Sequence, residues 1–115
     1  MGGKIMKENS ELLQTICKKE NIGICLEIAC KIVNLKTKQI AEELMVTPAY
    51  VTAIFLGARK PSVRVMRDFL RILKITKEQF IEIVDFYNES NSHYKYIYTM
   101  AKVANIIIDN IEDEM

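Results

Sequence analysis

Apolar residues return every three or four positions along most of this 115-residue chain and do not alternate in twos. That interval is the signature of one face of an α-helix, whereas a strand half-buried in a sheet repeats every second residue. Turn formers are scarce, with four glycines, two prolines and neither Asn-Gly nor Asp-Gly hairpin chemistry. The spacing therefore predicts an all-α protein. The length suits one domain able to bury its own core without disulfide or metal staples.

Punctuation divides the pattern into seven helices. A short one is expected at about 10–19, with Ser10 as its cap and Leu12, Leu13, Ile16 and Cys17 on one face. Asn21, Ile22 and Gly23 break it. A second, about 23–33, carries Ile24, Leu26, Ile28, Ala29, Ile32 and Val33 on nearly all sides. Such a helix needs cover on more than one face. A third, 37–44, turns Ile40, Ala41 and Leu44 inward, and a fourth follows Thr47 as cap and Pro48 at its first position. Gly57 ends that helix. Ser62 caps a fifth, with Met66, Phe69, Leu70 and Leu73 inward and Arg64, Arg67, Arg71 and Lys74 on its other face, the last three as a solvated stripe. Thr76 and Gln79 form a capping box for a sixth, which buries Phe80, Ile83, Val84 and Tyr87. The polar run 88–93 reads as a linker. Beyond it Tyr94, Ile97, Ala101, Ala104, Ile108 and Ile111 form a short heptad seam, suited either to packing on the same domain or to a dimer contact.

Charge is unevenly placed. Residues 31–74 hold nine basic and three acidic side chains, and residues 75–115 hold three basic and eight acidic ones. A basic middle beside an acidic tail is the footprint of a polyanion-binding core next to an element that does not bind. The three cysteines, Cys17, Cys25 and Cys30, lie in apolar helical patterns without a C-x-x-C, and His93 is the single histidine. Buried thiols are expected, and neither a metal nor a cofactor is implied. No apolar run approaches a membrane span, and the N-terminus lacks the order of a signal peptide, so the expected location is the cytoplasm. No nucleophile has a paired base, which argues against an enzyme.

The run "LKTKQIAEELMVTPAYVTAIFLGARKPS", with "VRVMRDFLRILKITKEQF" after it, resembles the Cro and phage-repressor (XRE) helix-turn-helix family over residues 35–80. Leu35, Ile40, Ala41, Leu44, Val46, Thr47, Val51, Thr52, Ile54, Gly57, Arg59, Pro61 and Ser62 carry the match. The resemblance implies a five-helix phage-repressor-like domain, here with an extra N-terminal helix (1–20) and an extra C-terminal helix (92–115) around a body at 21–88. The helix-turn-helix pair would be 37–56. Three departures stand out. Met45 occupies a turn position where glycine is common, Phe55 and Leu56 replace polar residues, and Thr37 replaces a usual glutamine.

In such a pair the second helix enters a major groove about 12 Å wide while the first crosses the backbone. On a helical wheel Val51, Ile54 and Phe55 face the core, and Ala49, Thr52, Ala53 and Leu56 face away with Tyr50 beside them. Residues 47–56 contain no Arg, Asn or Gln, the side chains that read guanine or adenine in two-pronged fashion. Base contacts are therefore expected from Thr47, Ala49, Tyr50, Thr52 and Ala53, by methyls and single hydroxyls. Phosphate contacts are expected from Lys36, Thr37, Lys38, Arg59, Lys60 and Ser62. The resulting expectation is a sequence-specific regulator of double-stranded DNA, a dimeric repressor on a palindromic, A/T-leaning operator, joined through the 94–111 seam as a homodimer. The alternative is a protein-binding helix-turn-helix, an antirepressor or phage-type inhibitor, using the apolar face of the same helix toward a protein partner.

Overall fold

The computed structural model describes residues 11–114, which form seven helices. These are α1 (11–18), α2 (Ile22–Ile32), α3 (Thr37–Leu44), α4 (Pro48–Phe55), α5 (Val63–Leu73), α6 (Lys77–Glu89) and α7 (Lys95–Glu114). The all-α expectation holds. The proposed cap Ser10 lies outside the described residues.

The caps form where the side chains allow them. Thr47 Oγ1 accepts from the Tyr50 N–H (3.1 Å), and Ser62 Oγ accepts from the Val65 N–H (3.2 Å). The box at α6 closes both ways, with Gln79 N–H donating to Thr76 Oγ1 and Thr76 N–H donating to Gln79 Oε1, each at 3.0 Å. The helix ends repeat one device. After α2, α3, α4 and α5 the chain enters the left-handed region at Asn34, Met45, Gly57 and Lys74, with φ between 57° and 76°. In each case the next residue's N–H reaches back across the last turn: Leu35 to Cys30, Val46 to Ala41, Ala58 to Ala53 and Ile75 to Leu70. This is the Schellman closure, which glycine usually serves because it has no Cβ to crowd the carbonyl. Here glycine serves only one of the four. Met45, flagged by its departure from the family pattern, adopts the glycine-like conformation at a cost of about 1 kcal/mol.

Leu13, Ile16, Cys25, Leu26, Ile28, Ile40, Leu44, Val51, Ile54, Met66, Phe69, Phe80, Ile83 and Val103 meet in one core. The apolar α2 is its axis, packed by α4, α6 and α7. α2 and α4 approach closely at Gly23. A Cβ there would overlap the carbonyl oxygen of Ile54 and lie 3.2 Å from that of Phe55.

Of the two uses open to the last helix, α7 packs on its own domain. α6 runs through Glu89, so the link to α7 is shorter than 88–93 suggested, and α7 lies against α2 and α6. Its inner face is Thr99, Val103 and Ile106, with Tyr96, Met100 and Ile107 partly covered. Asn110 fastens the far end. Its Nδ2 donates to the Lys74 carbonyl and to Gln79 Oε1 (both 2.9 Å), while Gln79 Nε2 donates to Asn110 Oδ1 (2.8 Å). Most of the heptad seam points outward, with Ala101 exposed and Ala104 half-buried. Tyr94, Ile97, Ile108 and Ile111 are between 50% and 61% exposed, with Tyr98 beside them.

The three cysteines are unpaired and buried, as expected. Burial pushes the Cys25 and Cys30 thiols up to about 12, the Glu27 carboxylate adding to the effect at Cys30. A thiol whose folded pKa is raised keeps its full contribution below the unfolded value near 9 and loses it as pH rises toward 12. Above pH 9 each thiol should therefore cost up to about 1.4 kcal/mol of stability per pH unit. Urea titrations at pH 8, 9 and 10 check this, because the Cys25→Ala, Cys30→Ala double variant should show a shallower loss. Equal slopes would remove the thiols as the cause.

Candidate nucleic-acid interface

α3 and α4 meet around Ile40, Ala41, Leu44, Val51 and Ile54, all buried. The turn between them is held from outside the pair. Arg64 Nη1, on α5, donates to the Leu44 carbonyl at 3.1 Å. The same guanidinium rests on Asp68 (3.2 Å), which also receives Arg71 (3.2 Å) and Arg67 (3.6 Å). The stripe expected to be solvated, Arg67, Arg71 and Lys74, is exposed, and its two arginines gather with Arg64 on one mostly buried carboxylate. Lys74 is the left-handed residue ending α5. Neither the role of Asp68 nor that of Arg64 was foreseen, because a carboxylate four residues from an arginine looks like an ordinary exposed helix pair.

On α4 the core arc is as the wheel predicts. Val51 and Ile54 are buried, and Phe55 is partly buried with its ring centroid 6.1 Å from that of Phe69. Thr47, Ala49, Thr52 and Leu56 are exposed, and Tyr50 and Ala53 are half-buried at the flank. Thr47 uses its oxygen as the helix cap, which leaves its hydroxyl proton available to an acceptor. The outward face therefore offers methyls, two threonine hydroxyls and one phenol.

The six residues expected to meet phosphate fall into two groups. Lys36, Thr37 and Lys38 sit at the start of α3. Gln39 Oε1 caps the Lys36 N–H (3.0 Å), and no acidic residue occupies the first turn, so its unpaired N–H groups form a positive end. The first turns of α4 and α5 also lack acidic residues. The second group is the loop after α4. Ser62 caps α5 with its oxygen and keeps its proton for donation. Lys60 is drawn aside, its Nζ donating to the Lys18 carbonyl at the end of α1 (3.1 Å). Arg59 lies back over α4, its guanidinium carbon 5.0 Å from the centre of the Tyr50 ring. Lys36, Lys38 and Arg59 are thus the cations of the expected set without an acidic or carbonyl partner among the described residues.

Residues 28–80 match the family profile described as helix-turn-helix, a span from the middle of α2 into the start of α6. No curated protein and no solved structure matches the chain.

Proposed function

We propose that this chain, whose residues 28–80 match the helix-turn-helix family profile, is a dimeric, sequence-specific transcriptional repressor of the Cro and phage-repressor type, with α4 in the major groove of its operator. The observation that carries this reading is the join of the exposed outer face of α4, bare of acidic groups, to the cationic first turn of α3. Helix N-termini and lysines hold phosphate, while α4 meets the base edges. Methyls of Ala49, Thr52 and Ala53 suit thymine, so the operator leans to A·T.

A single module with few phosphate contacts binds weakly, which favours a two-fold complex. The outward seam of α7 is the surface we assign to the second copy. Four of its side chains, Tyr94, Ile97, Ile108 and Ile111, with Tyr98 beside them, are among the large hydrophobic residues left exposed. The alternative of a docked protein has one observation in its favour, the 76% exposure of Leu56 on the same outward arc as Ala49.

The deciding measurement is duplex binding across a salt series. Native protein should bind non-specific duplex at low salt, with log affinity falling linearly against log salt. Lys36→Glu with Lys38→Glu should weaken that binding at least tenfold and flatten the slope. Both side chains are surface groups at a helix start, so the fold should survive. Absence of duplex binding at low salt, or an unchanged double variant, would sink the DNA reading and leave the protein-docking one.

A further inference from the structure

The residues of α4 cannot supply a forked donor to a base, yet the structure returns one to that helix from the following loop. Gly57, at φ 76°, turns the chain sharply, and the N–H groups of Ala58 (2.9 Å) and Arg59 (3.2 Å) both donate to the Ala53 carbonyl. The start of the Arg59 side chain is thereby tied to the last turn of α4. Its guanidinium lies against the ring of Tyr50, one turn further back on the helix. Such stacking restricts a side chain that otherwise samples many rotamers, and leaves its N–H edge in plane for two-pronged bonding. Along the same face Ala49 and Ala53 are too small to fill the space the fork would need.

We propose that Arg59 reads one guanine in each half-site of the operator, with Tyr50 as the residue that positions it. The neighbouring cation does not compete for this role, because Lys60 is spent on the Lys18 carbonyl. This inference rests on the DNA-binding reading, and it changes the expected operator from purely A/T-leaning to A/T-leaning with a fixed guanine.

The experiment is selection of sites from random duplex DNA with native protein, Arg59→Lys, Arg59→Ala, Tyr50→Leu and Tyr50→Phe. Native protein should enrich one G·C pair per half-site. Arg59→Lys, which keeps the charge and loses the fork, should lose preference at that pair alone and bind the native consensus about ten- to a hundredfold more weakly. Tyr50→Leu should relax the same pair, and Tyr50→Phe, which keeps the ring, should restore it. If Arg59→Ala weakens all sequences equally and lowers the salt slope by about one, Arg59 meets phosphate and the inference falls while DNA binding stands. Absence of a G·C preference in the native protein would overturn it in the same way. Failure of the native protein to bind duplex at all would take down both.

Discussion

Gly23→Ala should destabilise the protein by about 3 kcal/mol, although alanine is the better helix former by up to about 1 kcal/mol. The added methyl would overlap the Ile54 carbonyl oxygen, and a backbone oxygen within a helix cannot rotate away as a side chain could. Relief requires α2 and α4 to part. Because α2 is the axis of the core, the loss spreads to the packing of α6 and α7 as well. The melting temperature should drop by at least about 10 °C, read by circular dichroism. Any folded remnant should bind DNA poorly, since α4 would be tilted. A Gly23→Ala protein that melts at or above the native temperature would contradict the close approach.

The second large effect concerns the seam on α7. Ile97→Glu with Ile108→Glu places two carboxylates on a face that is half or more exposed in the single chain, so the monomer should remain folded, its melting temperature lowered only by the loss of association. Sedimentation should change from a dimer to a monomer, and operator affinity should fall by a hundredfold or more as the two half-sites are uncoupled. Deleting α7 would be a poorer test, since Val103 and Ile106 would leave α2 and α6 uncovered. A native protein that sediments as a monomer at micromolar concentration, or a double variant that remains a dimer, would remove the seam as the interface.

Much of this was legible beforehand. Thr47, Ser62 and Thr76 announce helix starts because a cap is a contact between residues three apart, and so is written in consecutive sequence. The inward faces of α3, α5 and α6 follow equally from spacing. The helix ends were less legible, because Asn34, Met45 and Lys74 do what glycine commonly does, and their side chains do not advertise it.

For the stretch 46–62, sequence alone determined the helix, its cap, its buried arc and the absence of a forked donor from its own residues. Those properties depend on neighbours within a turn or two. Only the tertiary structure decided that Gly23 sets how closely α4 lies on the body, that Arg64 clasps the turn before it, and that Lys60 turns away. It also decided which face of α7 stays outside. That helix carries two apolar faces, and periodicity cannot say which one α2 and α6 will cover, because the choice is made by their shape and by the Asn110–Gln79 bond pair.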